Sequence, residues 1–203
     1  LKKSPEEHIE DIINVVRYAD EQDIAVNVYL EDWSNGMKDS PEYVFQLMEG
    51  LKHTSIKRYM LPDTLGILNP LQVIEYMRKM KKRYPNTHFD FHAHNDYDLA
   101  VSNVLAAVLS GAKGLHTTIN GLGERAGNAA LEEIVMAVKT RKDIFNVETG
   151  IETAARAGGD ALVHAFGDGC GGGFFRRLVG MARDALKHPR QAAHAAGIAA
   201  RRL

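Results

Sequence analysis

One feature constrains this chain more than any other: short apolar runs that end in polar or glycine-bearing loops alternate with longer stretches of helical periodicity. Strand-like runs fall at 24–30, 57–61, 88–94 and 114–119, and helical patterns at 41–53, 70–83, 99–109 and 129–140. A further helix opens the chain. Ser4 supplies an N-cap, Pro5 a first helical position, and Glu6 and Glu7 an acidic first turn, all of which favour a helix start. Ile9, Ile12, Ile13, Val16 and Ala19 then recur at helical spacing, the mark of one apolar face. Strands alternating with helices in this way pair in parallel through right-handed crossovers. The predicted class is α/β.

Four such strands with no reversal fit half of a (β/α)8 barrel and equally fit an open doubly wound sheet. A complete barrel takes about 250 residues, and the chain has 203. With 45% apolar residues the chain can bury a core, and its net charge of −1 gives no electrostatic reason to expect nucleic acid or an anionic membrane. No apolar run reaches the length of a membrane-spanning helix. The first residues, Leu1 to Glu7, lack the apolar core of a signal peptide, and the absence of an initiator Met predicts a native start upstream. A single cysteine, Cys170, excludes an internal disulfide framework and fits a reducing cytoplasm.

Composition divides the chain near residue 151. Residues 1–151 carry 17 basic and 22 acidic side chains, whereas residues 152–203 carry 8 and 4, with 13 Ala and 9 Gly. The expected organisation is therefore a partial barrel over 1–151 and an Ala/Gly/Arg-rich tail over 152–203, mostly helical from Phe174 onward. The glycine tract at 169–173 reads as linker, and nothing in the sequence places a base beside Cys170.

Four clusters carry possible chemistry, each at a predicted strand end. In His88-Phe89-Asp90-Phe91-His92-Ala93-His94, period two puts His92 and His94 on one face and Phe89 and Phe91 on the other. Two imidazoles so placed can share a metal ion, although an HxH pattern alone is more often core or surface. The loop Asn120-Gly121-Leu122-Gly123-Glu124-Arg125-Ala126-Gly127-Asn128 offers a carboxylate, a guanidinium and an amide among glycines that permit close backbone approach. It matches neither a dinucleotide fingerprint nor a P-loop. In Asn27-Val28-Tyr29-Leu30-Glu31, the polar members share one strand face, where burial without a partner is costly. Pro62-Asp63-Thr64-Leu65-Gly66 by itself reads only as a turn.

Taken together, LEDWSNGMKDSPEYV (30–44), LPDTLG (61–66), FHAHNDYDLAVSN (91–103) and TTINGLGERAGNAALEEIV (117–135) resemble a family of metal-dependent acyltransferases and lyases built on a TIM barrel. Its members include 2-isopropylmalate, homocitrate and citramalate synthases and 3-hydroxy-3-methylglutaryl-CoA lyase, and the wording here is nearest the 2-isopropylmalate synthase branch. The resemblance implies that only the C-terminal half of the barrel is present. It implies a divalent metal (Mn²⁺, Mg²⁺ or Zn²⁺) held by His92 and His94, with Asn128 near or in its shell. Thr64 would bind the carboxylate of a 2-oxo acid, and Glu31 would stand beside that substrate. Asp96, Glu124 and Arg125 would order the loops around the ligands. The implied reaction condenses acetyl-CoA with a 2-oxo acid, 2-oxoisovalerate in leucine biosynthesis, in a cytoplasmic enzyme that is a homodimer at full length.

The chain also departs from that pattern. The family's first strand carries an Arg-Asp pair that has no counterpart here, so the isolated chain is expected to be inactive. Residues 152–203 match nothing quotable in the family's C-terminal region, where His164, His188 and His194 are unanchored candidates. Tyr97-Asp98 stands where the pattern more often has Leu-Gly. Homocitrate or citramalate synthesis, and a non-enzymatic fragment, remain as alternatives.

Overall fold

The computed structural model describes residues 3–155 and 161–164. The chain divides into two units, 1–146 and 147–203. In the first unit the elements run α1 (Pro5–Glu21), β1 (Asn27–Tyr29), α2 (Trp33–Asp39), α3 (Pro41–Leu51), β2 (Arg58–Asp63), α4 (Pro70–Arg83), β3 (Phe89–Ala93), α5 (Ala100–Leu109), β4 (Gly114–His116) and α6 (Leu131–Thr140). The four strands form one sheet in sequence order, β1-β2-β3-β4, and every pair is parallel. The expected half-barrel arrangement is therefore the observed one.

The cap read from sequence at Ser4 operates as expected. Ser4 accepts from the Glu7 amide while the Glu7 side chain accepts from the Ser4 amide, the reciprocal capping box. Asn69 and Gln72 do the same for α4, with Pro70 in the first turn. Helix α2 was not expected. Asp-Trp-Ser-Asn-Gly reads as a loop, yet Trp33 is almost fully buried, edge-on to Phe91 at 6.3 Å and Tyr76 at 6.1 Å. Burial of so large an aromatic outweighs the poor helix propensity of the polar positions and Gly36. Gly36 is itself a packing requirement, because a Cβ there would lie 2.9 Å from Val44 on α3.

Other boundaries moved for local reasons. The edge strands β1 and β4 are shorter than predicted, since each has a partner on one side only. After β4 the chain turns into a short 3-10 segment at Ile119–Gly121. Ala130 stays extended and bridges to Thr118, so α6 begins later than the apolar pattern suggested. One face of β3 buries Phe89, Phe91 and Ala93 completely against the helices, in a core that includes Leu61, Met77, Met80 and Val104.

In the second unit, Glu152–Ala155 (β5) and Ala161–His164 (β6) pair as an antiparallel hairpin, which the sequence reading did not contain. The helical expectation from Phe174 onward, together with Cys170, His188 and His194, lies outside the described residues.

Candidate functional site

The opposite face of β3 is polar. It presents Asp90 and His92, with His94 just beyond the strand. The two imidazoles are perpendicular, their centroids 4.8 Å apart and their Nε2 atoms 3.2 Å apart. Burial, reinforced by His94 and His116, pushes the His92 pKa down to about 4, so this imidazole is neutral near pH 7 with a lone pair to offer. His94 forms a β-bridge with Asn128, which brings the second sequence cluster to the first. His92 Nδ1, His94 Nδ1 and Asn128 Oδ1 are all buried without a hydrogen-bond partner. Each such orphan costs roughly 1–3 kcal/mol, and Asn128 Oδ1 is thereby left free to meet a ligand beside the paired imidazoles.

Among the described residues no group of three or more His, Cys, Asp or Glu is spaced to hold a metal ion. The donor set is instead two imidazoles and an amide oxygen, which borderline and hard divalent cations accept. Nitrogens about 2.0–2.1 Å from a shared ion stand roughly 3 Å apart, close to the Nε2 separation seen. The residues fit such an ion as part of its shell.

The end of β2 delivers Thr64 to the same rim. Its hydroxyl donates to Glu31 Oε1 at 2.8 Å and accepts from the Asp32 amide at 3.1 Å, so Glu31 and Thr64 form one polar pair. Preceding it, Asp63 is fully buried and accepts from the Ile67 and Leu68 amides, both at 3.1 Å. Burial raises its pKa, with those two amides pulling the other way. Asp63 thus fixes the turn that presents Thr64, a role hidden in sequence because aspartate is ordinary in turns.

The loop at 120–128 returns a third element. Arg125 forks onto both oxygens of Asp96, each at 2.8 Å, and donates to the Thr64 carbonyl at 2.7 Å. The hydrogen bond from Arg125 holds the Asp96 carboxyl below its usual range. Glu124 is not drawn in: its side chain is 82% exposed and approaches Arg125 only to 3.8 Å. Asp98 has a φ of 58°, the left-handed conformation that glycine adopts freely. That conformation explains why the family pattern favours glycine at this point.

Sequence reading overlooked a second polar group on the same sheet face. Asp90 contacts His88 Nε2 at 2.8 Å, His116 Nε2 at 3.5 Å and Arg58 at 3.7 Å. Burial alone would raise its pKa, but the hydrogen bond from His116 and the charges of His88, His116 and Arg58 bring it below the usual value. His116 Nδ1 lies 2.9 Å from the Tyr29 hydroxyl. Burial first, then Asp90 and Glu31, raises the Tyr29 pKa. Gly114 makes room for this group, since a Cβ there would fall 2.1 Å from Asp90 Oδ1. The available signal was period two on β3, which puts residues 88, 90, 92 and 94 on one face.

Residues 1–158 match the HMGL-like family. The chain belongs to that family. It is 43% identical over 156 residues to 2-isopropylmalate synthases of Dechloromonas aromatica and of Methylococcus capsulatus, covering 75% of this chain and 30% of each relative. This HMGL-like chain therefore spans less than a third of the length of those relatives. Among solved structures it is similar to the HMG-CoA lyase of Bacillus subtilis, with 29% identity and a TM-score of 0.59, over 71% of this chain and 52% of that one. The hydroxymethylglutaryl-CoA lyase of Pseudomonas aeruginosa, at 20% identity and a TM-score of 0.58, shares the fold. The four parallel strands are accordingly part of a TIM barrel, and the candidate site residues of this HMGL-like chain gather at the C-terminal strand ends, where barrel enzymes place their chemistry.

Proposed function

We propose that this chain carries the metal-binding and 2-oxo-acid-binding part of an acyltransferase active site, one that condenses acetyl-CoA with a 2-oxo acid. The carrying observation is the set of paired imidazoles and orphaned Asn128 oxygen at the ends of parallel strands. Identity of 39–43% to relatives named 2-isopropylmalate synthase supports 2-oxoisovalerate as the acceptor and leucine biosynthesis as the setting. The family resemblance extends this reading to a cytoplasmic enzyme that is a homodimer at full length. No helix among the described residues is long and apolar enough to cross a membrane.

His92, His94 and Asn128 would hold the divalent cation, which supplies Lewis acidity to the keto carbonyl when bound. Thr64 would turn its hydroxyl from Glu31 to the substrate carboxylate, exchanging one charge-assisted hydrogen bond for another. Glu31, freed of that donor, would stand beside the substrate ready to hold a proton. Loss of a proton from the acetyl methyl, bond formation from that carbon to the keto carbon with a proton taken up by the keto oxygen, and hydrolysis of the thioester by one water would release CoA and a 2-hydroxy dicarboxylic acid.

The purified chain is titrated with Mn²⁺ and free ion is followed by electron paramagnetic resonance. Capture of one ion per chain, lost in His92→Ala, is expected. Equal capture by both proteins would overturn the assignment.

A further inference from the structure

Three strand-end loops meet at one side chain. Through Nε and a terminal nitrogen, the Arg125 guanidinium engages both Asp96 oxygens, and the same terminal nitrogen reaches the Thr64 carbonyl. The loops after β2, β3 and β4 are thereby joined by a single planar group. The backbone is shaped around that contact. Arg125 has a φ of 54°, a left-handed conformation unfavourable for a residue with a Cβ. Gly66 leaves space that Asp96 fills, since a Cβ there would lie 2.8 Å from both the Asp96 amide nitrogen and Oδ2.

Every end of this clamp adjoins a candidate site residue. Thr64 is held through its own carbonyl. His94 lies two residues before Asp96, and Asn128 three residues after Arg125. Between them, the Asn95 amide donates to the Gly127 carbonyl at 2.9 Å and the Asn128 amide to the Gly121 carbonyl at 2.8 Å. A swing of the loop at 120–128 would therefore carry Asn128 away from His94. The clamp is itself solvent-exposed, with Arg125 at 40% and Asp96 at 25% side-chain exposure, so it contributes little to global stability.

We propose that Arg125 is the positioning residue of this site: its fork holds the three loops in one register, so that His94, Asn128 and Thr64 are presented together. Arg125 touches no reacting atom in this role. Lysine cannot replace it, because an ammonium is a point charge without the two parallel donors. The consequence for cation binding rests on the metal reading above, whereas the locking of the loop does not.

Arg125→Ala and Arg125→Lys are compared with the parent 203-residue chain in three measurements. Hydrogen exchange is read at the amides of Asn95, Gly127 and Asn128, Mn²⁺ affinity by paramagnetic resonance, and the melting midpoint as a control. In both variants exchange at these amides should quicken by about tenfold or more, Mn²⁺ affinity should fall by about 10–100-fold, and the midpoint should hold. Unchanged exchange in the alanine variant overturns the proposal. So does full recovery by lysine, which would reduce the role to charge, or a midpoint that falls in step with exchange, which would make Arg125 a general stabiliser. A parent chain that binds no Mn²⁺ overturns the metal reading alone, and the exchange data still decide the positioning role.

Discussion

The two faces of β3 share one backbone and differ in almost everything else. Toward the helices, Phe89, Phe91 and Ala93 are fully buried in a close-packed apolar layer. Toward the concave side, Asp90, His92 and His94 are also largely buried, yet His92 and His94 leave ring nitrogens without partners. The first face is explained by packing. The second is not explained by packing, and its unpartnered ring nitrogens are consistent with a site that a ligand meets. Substitutions should therefore separate the two faces by which observable they move.

Phe91→Ala should have the largest effect. It removes a fully buried ring that Trp33 packs against and should cost about 3–5 kcal/mol of stability, read as a lower denaturation midpoint. Loss of less than a third of that would mean the helix layer relaxes freely. His92→Ala comes next and should behave in the opposite way. In an enzyme with a closed barrel, kcat should fall by about 10²–10³, while stability changes far less than in the Phe91 variant. Normal turnover would sink the metal role.

Thr64→Ala should raise KM for the 2-oxo acid by about ten- to a hundredfold and leave kcat nearly intact, because a hydrogen bond to a carboxylate is worth roughly 1.5–3 kcal/mol in ground and transition state alike. An unchanged KM in steady-state kinetics would remove Thr64 from the substrate site. Gly114→Ala should cost about 1–3 kcal/mol through overpacking against Asp90, measurable by chemical denaturation. A neutral result would show that the polar group on the concave face shifts without penalty.

The smallest effect belongs to the helix layer. Bonds from Lys52 and Tyr84 hold the Glu49 pKa down to about 2. A carboxyl depressed in the folded state contributes stability above its unfolded pKa of about 4.3, and that contribution disappears as pH falls toward 2. Glu49→Gln should flatten this acid limb of a melting-midpoint profile without altering the site.

Much of this was legible in the residues. Local signals, the N-cap at Ser4 with Pro5 behind it and the period-two strand at 88–94, located the first helix and the inward face of β3. The family motifs singled out Thr64, Glu31, Arg125 and Asp96 one by one, and the fold joins them as two pairs, Thr64 with Glu31 and Arg125 with Asp96. Helix α2 escaped because its formation depends on Trp33 finding a pocket between Phe91 and Tyr76, residues distant in sequence. Asp63 and Asp90 escaped for a related reason: an aspartate in a turn or strand reveals nothing of its partners until the chain is folded. Glu124 shows the converse, a motif residue whose side chain the fold leaves in solvent.

The hydrogen bond between Tyr29 and His116 has one further consequence. These residues sit on the first and fourth strands, which in a flat sheet stand about 14 Å apart at the usual spacing, yet their side chains meet at 2.9 Å. The sheet is therefore drawn into an arc by a chord within its own chain. Curvature that is set in advance does not have to be imposed by whatever completes the barrel, so assembly forfeits less conformational freedom at the moment of contact. Two strands that never touch in the sheet ladder thus act as a template, carrying the radius of the finished cylinder.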